Sequence, residues 1–280
     1  MFEDLYQELA GAAFLTERTK IIPELSRLLK EAMQQKGRVG VAFSGGVDSS
    51  IMALLTKQRA LYSVGMEGSS DVGWARKIAE RMNWQATEKV LSVREAEGII
   101  HNVVAILSKN NVDLTVVNVG VGAVVYAVLD IAKQDKVKVV YEGLGAEEIF
   151  GGYKRHVDYG ANYEKAHIHQ RLWEGLFGLE ERDIARDSAI AKKFKIELVA
   201  PFLHPPLVAY AMRIDPSLKI NDKQKKIVLR ETAIRLGLPE EFALRKKVAA
   251  QYGSNVDRVM LRLAKKNGFK HKKDYIESLR

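Results

Sequence analysis

The segment from Val39 to Ser50 constrains the fold more than any other. An apolar run at 39 to 43, Val-Gly-Val-Ala-Phe, passes directly into Ser44-Gly45-Gly46-Val47-Asp48-Ser49-Ser50, whose later residues open a helix. A strand that turns into a helix through paired glycines aims backbone N–H groups and the positive helix end at one point, and lets an anion approach the main chain. The serine hydroxyls add donors, and Asp48 adds a hard carboxylate suited to a divalent cation. The plain alternative is a serine-glycine turn that merely caps a helix. Such turns seldom combine two glycines, an acid and three serines at a strand end. The Gly-Lys-Ser/Thr ending of a Walker loop is missing, so cleavage between β and γ phosphates is not the chemistry to expect.

The pattern that follows is strand and helix in alternation. Strands are predicted at 61 to 66, near 86 to 91 and at 137 to 141, with helices from about Val47, over 71 to 82, and across 93 to 108 and 121 to 134. Alternation of this kind predicts an α/β fold, a doubly wound, mostly parallel sheet with helices on both faces. Two helices lead the chain, with Pro23 placed in the first turn of the second. Beyond Gly152 no strand is predicted; the remainder reads as helices broken at 201 to 206, 215 to 217 and 237 to 241. The expected divisions are a helical segment at 1–36, a nucleotide-binding core at 37–152 and a helical part at 153–280, meeting at a seam near Tyr153.

Composition narrows the chemistry. The 280 residues are 47% hydrophobic and 28% charged, which excludes a disordered or low-complexity chain. They include no cysteine, which excludes disulfides, thiolate metal sites and every thiol nucleophile. No apolar run approaching a membrane span is expected, and the opening residues carry acids where a signal peptide would carry bases, so a cytoplasmic location is expected. The net charge is +9, and 27 of the 44 basic residues follow Gly152 against 16 of the 35 acidic ones.

The heptapeptide at 44 to 50 resembles the PP-loop of ATP pyrophosphatases, which cut ATP between the α and β phosphates. A second segment, Gly143-Leu144-Gly145-Ala146-Glu147-Glu148-Ile149-Phe150-Gly151-Gly152-Tyr153, resembles the G-E-G-S-D-E-x-F-G-G-Y stretch of the asparagine synthetase C-terminal domain family. Other pieces fall in that family's order: Val64 to Asp71, Arg186-Asp187, Glu197 with Pro201-Phe202-Leu203, and Arg245 to Lys247 followed by Gln251 to Ser254. The resemblance runs from about residue 37 to about 260.

What the resemblance implies can be written residue by residue. Asp48 and Glu147 would hold Mg2+ on the ATP phosphates, with Glu147 standing where the family has aspartate. Ser44, Gly45, Gly46, Ser49 and Ser50 would hold the pyrophosphate end, while Ala42, Val64, Met66 and Gly143 would line the rest of the ATP site. Lys247 would stabilise negative charge in the reaction; from spacing alone it reads as one solvated base in a run of three. Four departures concern the acyl substrate: Leu144 replaces a glutamate, Val199 and Asn118 stand where arginines are expected, and His204 replaces an aspartate. The ATP half thus looks intact and the aspartate-reading half rewritten. The family's glutaminase domain, with its N-terminal cysteine nucleophile, has no counterpart here.

Other motifs carry less. His167 and His169 are two apart and face different sides of a helix, a surface pair rather than a metal site. Gly120-Val121-Gly122 lacks the third glycine of a dinucleotide fingerprint. The basic tail from Arg258 to Lys273 reads as a solvated amphipathic helix. The function expected is therefore an AMP-forming, ATP-dependent amide ligase of the asparagine synthase type, active in amino-acid biosynthesis. The partners expected are a small carboxylate and ammonia, with a separate glutaminase subunit and a homodimer as further candidates and no membrane. The competing readings are a tRNA-modifying PP-loop enzyme, motivated by the basic second half, and a diverged nucleotide-binding homologue without catalysis.

Overall fold

Five parallel strands, ordered β3-β2-β1-β4-β5, form the sheet on which everything else is hung. The computed structural model describes residues 2–153, 165–246 and 249–280. The strands are β1 Val39–Ala42, β2 Arg59–Met66, β3 Ala86–Leu91, β4 Val139–Tyr141 and β5 Glu197–Val199. β1 pairs with β2 from Val39↔Arg59 to Ala42↔Tyr62 and with β4 from Val39↔Val139 to Val41↔Tyr141. Strand order runs outward from β1 to β3 on one side and from β4 to β5 on the other. The reversal between β1 and β4 opens a crevice at the carboxyl ends of those two strands, the usual ligand position of an open parallel sheet. The loop at Ser44 leaves β1 and the loop at Gly143 leaves β4, so the two sequence motifs meet there.

The helices are α1 Phe2–Glu8, α2 Arg18–Ala32, α3 Val47–Leu55, α4 Ser70–Arg81, α5 Val93–Lys109, α6 Val116–Gln134, α7 Ala146–Phe150, α8 Lys165–Phe177 and α9 Ala185–Phe194, with shorter ones following from Pro205 to Ser278. Strand residues send alternate side chains to opposite faces. Val41, Leu61 and Tyr141 enter a core with Leu25, Ile51, Trp173 and Val228, whereas Tyr62 and Val140 enter a second core with Ile100, Leu129, Ile190 and Met260. Both cores draw on residues before and after Gly152.

Several expectations need correction. A fifth strand exists beyond Gly152: β5 pairs with β4 from Val139↔Glu197 to Tyr141↔Val199. Its three residues are too few to show a period of two. α2 begins at Arg18, so Pro23 lies inside the helix rather than in its first turn. α6 begins at Val116, five residues earlier than expected, because the Thr115 hydroxyl accepts from the Asn118 N–H and caps it. β4 starts at Val139, not at 137. α6 is also long and apolar enough to cross a bilayer, contrary to the expectation of no such run, and 61% of that stretch is buried in the fold. Its glycines permit this packing: a Cβ on Gly120 would lie 2.9 Å from Met260 Cε, and one on Gly122 would lie 3.1 Å from both Val103 and Ile190.

Candidate active site

The crevice between β1 and β4 opens into a cavity of about 790 Å³, well within the range of small-molecule sites. Its lining holds an ion triad in which Asp48 and Lys226 are buried and Glu147 is partly exposed. Lys226 Nζ donates to Asp48 Oδ2 at 2.7 Å and lies 2.8 Å from Glu147 Oε1. Three elements deliver these groups: Asp48 from the first turn of α3, Glu147 from α7, and Lys226 from the N-cap of the helix Ile227–Arg235. Lys226 is 4% exposed and takes a left-handed backbone, φ 56°. Burial pulls its ammonium down, but the Asp48 and Glu147 carboxylates outweigh this and hold it above the ordinary lysine value.

The neighbouring backbone is shaped to this triad. Gly145, φ 91°, starts α7, and Gly151, φ 70°, ends it. At Gly152 a Cβ would fall 1.5 Å from Glu147 Oε2 and 2.4 Å from Lys226 Cε, so only glycine leaves room for the carboxylate and the lysine stem.

Around the PP-loop-like segment, Gly45 has φ 65° and passes close to α4: a Cβ there would lie 2.8 Å from Ala75 N. Ser49 Oγ donates to Gly46 O at 3.0 Å and lies 3.4 Å from Ser44 Oγ. Asp48 Oδ1 and Ser50 Oγ are buried with no hydrogen-bond partner. Asp48 thus offers one oxygen to the ammonium and keeps the other for a ligand. Among the described residues no three His, Asp or Glu side chains gather as a metal cluster. A divalent cation held by Asp48 and Glu147 would need its remaining ligands from phosphate oxygens and water, as Mg2+ commonly does.

On one flank, Arg245 Nη2 donates to Asp71 Oδ1 at 3.1 Å, and its guanidinium lies 5.1 Å from the Trp74 ring centroid. Burial lowers its pKa. Its Nε and Nη1 are buried and have no hydrogen-bond partner among the described residues. The segment after β2 is tied to the late segment here: Met66 N donates to Ser254 O at 2.8 Å and Ser69 Oγ to Gly253 O at 2.9 Å.

On the other flank, Arg186 Nε and Nη2 hold Asp187 in a two-pronged pair at 2.7 and 2.6 Å, and Nη1 reaches Asp183 at 2.7 Å. Glu142 leans on Asp187. Desolvation, with the Asp187 charge, raises the Glu142 pKa well above the carboxylate range. Glu148 accepts from Tyr153 Oη at 2.6 Å, and burial lifts its pKa to about 7.

The structure brings together Ala42, Ser44, Asp48, Ser49, Val64, Gly143 and Glu147 on the cavity wall; Gly45, Gly46, Ser50 and Met66 are not part of that wall. Lys247 lies outside the described residues. Of the four departures only Leu144 lines the cavity. Asn118 is 5% exposed and its Nδ2 donates to Asp113 O. Val199 belongs to β5, and His204 turns toward Glu31 of α2 at 3.6 Å. None of those three lines the cavity. His169 is also no surface residue: it accepts from Trp173 Nε1 at 3.0 Å, and burial lowers its pKa to about 4. Lys226, Arg230, Glu142 and Arg245 were not among the residues picked from sequence for this cavity. The Arg245 to Lys247 segment was noted only for its place in the family order, and no local pattern marks Lys226, Arg230 or Glu142.

A family model described as asparagine synthase matches residues 21–166 and 160–270. A protein of Methanocaldococcus jannaschii named "Putative asparagine synthetase [glutamine-hydrolyzing] 1" is 30% identical, over 89% of this chain and 52% of its own length. Asparagine synthetase B [glutamine-hydrolyzing] of Escherichia coli is 27% identical, over 83% of this chain and 44% of its own. The asparagine synthetase [glutamine-hydrolyzing] of Gallus gallus is 26% identical, over 96% and 48%. The chain spans about half the length of these relatives.

Proposed function

The chain belongs to the asparagine synthase family, and from that premise we propose that it is an ATP-dependent amide ligase. It joins a carboxylate to ammonia through an acyl-adenylate, releasing AMP and pyrophosphate. One observation carries this reading: two loops at the switch point present Asp48 and Glu147 with a buried lysine clamped between them, beside unpaired donors that suit a polyphosphate.

The roles follow from position. The loop from Ser44 to Ser50 takes the pyrophosphate end of ATP, with the start of α3 behind it. Asp48, through its unpaired Oδ1, and Glu147 would hold Mg2+, and the ion would supply charge neutralisation on the phosphates. Arg245 lends its two unpaired N–H groups to phosphate oxygens, a charge-assisted contact. Ala42, Val64 and Gly143 border the nucleoside, whereas Met66, off the cavity wall, does not. Lys226, already charged and held by two acids, faces the negative charge that grows on the α phosphate and on the carbonyl oxygen when the amine attacks. This is the role that the sequence assigned to Lys247. In this reading the nitrogen reaches the site as ammonia.

The test is nucleotide chromatography of the purified chain with ATP, Mg2+, ammonium and a panel of carboxylates. AMP and pyrophosphate are expected in equal amounts, and Asp48→Ala should lower turnover by two or more orders of magnitude while circular dichroism stays native. Carboxylate-dependent formation of ADP and phosphate would overturn the reading.

A further inference from the structure

Between the end of β4 and Glu147 the chain reads Glu142-Gly143-Leu144-Gly145-Ala146, so Glu142 is the one ionisable side chain of that loop. It lines the cavity together with Asp48 and Glu147. Its backbone N–H donates to Val199 O at 2.9 Å, which fixes the start of the loop to β5. The next residue, Gly143, comes so close to Asp48 that a Cβ on it would lie 3.5 Å from the Asp48 Cβ.

The Glu142 side chain is hydrogen-bonded to Asp187 of α9. Two carboxyl groups make such a bond only when one of them carries a proton, and Arg186 decides which one does. Arg186 donates through Nε and Nη2 to both oxygens of Asp187, at 2.7 and 2.6 Å, and keeps that carboxylate charged. The proton therefore rests on Glu142. Among the described residues the charged groups that face Glu142 are Asp187, Arg186 and Asp183; desolvation and the two aspartates hold the proton, and Arg186 opposes them. Glu148 and Tyr153 stand next to this group, on the far side of Asp183 from the pair. A carboxyl that yields its proton reluctantly is, once deprotonated, a stronger base than an ordinary glutamate, as a proton acceptor working near neutral pH must be. Asp183, Arg186 and Asp187 line the cavity too, so the pair shares one space with the ATP-binding loops.

We infer that Glu142 is a catalytic base of the amide-forming step, taking the proton that the attacking nitrogen must lose, with Arg186 and Asp187 as its positioning residues. The inference rests on the ligase reading. The lone pair of ammonia forms the C–N bond, the acyl C–O bond to the α phosphate breaks with its electron pair leaving on AMP, and one N–H proton passes to the Glu142 carboxylate. The singly protonated Glu142–Asp187 pair is the product of that step, and it returns the proton to water before the next turnover.

The full chain with Mg2+ would be assayed for ATP–pyrophosphate exchange and for product formation, with aspartate first among the carboxylates and either ammonia or hydroxylamine as nucleophile. Hydroxylamine is far less basic, and its nitrogen sheds the proton to water unaided. Glu142→Gln resembles the protonated acid in shape and still donates to Asp187, so the fold is kept. It should lose about a hundredfold or more in amide formation. Exchange and hydroxamate formation should stay within about threefold of the wild type, since neither needs the base. In the wild type the amide rate per unit of free ammonia should rise with pH through one titration and level off, and the variant should lack that rise. Unchanged amide formation, an equal loss with both nucleophiles, lost exchange, or a pH rise absent from the wild type or kept by the variant would overturn the assignment and leave the ligase reading standing. Absence of exchange by the wild type with every carboxylate tried would overturn the ligase reading, and this assignment with it.

Discussion

Lys226 and Lys219 are both buried lysines, and their surroundings give them opposite duties. Lys226 neutralises two acids at once; removing it leaves Asp48 and Glu147 facing each other across a desolvated gap. Breaking a buried pair in this way typically costs about 3–5 kcal/mol. Lys226→Met is therefore expected to lose turnover by at least two orders of magnitude and also to melt lower, which differential scanning calorimetry and a turnover assay would report together. Lys219 is fully buried, its Nζ has no hydrogen-bond partner, and desolvation lowers its pKa from 10.5 to about 7, with Asp215 opposing only weakly. A base depressed in the folded state makes the unfolded chain bind more protons between pH 7 and 10.5, so stability rises with pH across that window and is lost on returning toward 7. At pH 7 the burden is on the order of 3–5 kcal/mol. Lys219→Met should raise the melting temperature at pH 7 and raise it less at pH 10; a destabilised variant at both pH values would show that Lys219 has a partner.

The elements show which features sequence reasoning reaches. The strands β1 and β2 and the helix α3 are legible because apolar period and glycine position report on local geometry, and Asp48 stands out within the glycine loop, whereas Glu147 is picked out only by the family resemblance. β5 is not legible: three residues paired at an edge leave no pattern. Nor is Lys226, since its meaning comes from a contact 178 residues away. Asn118, Val199 and His204 fail for a related reason. A departure from a family pattern marks a changed position, and only the fold tells whether that position faces substrate. The turn after α7 yields a prediction at this scale. Gly152→Ala places a methyl where Glu147 Oε2 and Lys226 Cε now lie, both ends of flexible side chains. The turn itself should survive, with a loss on the order of 1–3 kcal/mol from overpacking. The ion triad should not, so Mg2+-dependent ATP binding by calorimetry is expected to weaken about tenfold or more while the far-ultraviolet spectrum is kept. Unchanged nucleotide affinity would mean that the position of Glu147 matters little.

Across the whole molecule, the cavity is lined by residues from Ala42 to Ser254 and the sheet takes β5 from the far side of Gly152. Leading helices, PP-loop segment and late helices share one core: Leu25, Ile51 and Val228 belong to a single cluster. The second core joins Ile100 of α5 to Met260 and Ile276 near the end of the chain. Parts whose cores are shared in this way unfold together, so the chain should melt in one transition. A ligand that binds only the assembled cavity then stabilises the whole chain by mass action, about 2.7 kcal/mol at a hundredfold excess over its dissociation constant. At about 2–4 °C per kcal/mol for a large domain, ATP with Mg2+ should raise the single melting temperature by roughly 5–10 °C. Asp48→Ala should abolish most of that rise, because the variant removes Asp48 Oδ1, the buried oxygen without a hydrogen-bond partner that is proposed to hold the metal. Two separate transitions, with only one of them moved by ATP, would show instead that the seam near Tyr153 divides the chain into independently folding parts and that the cavity belongs to one of them.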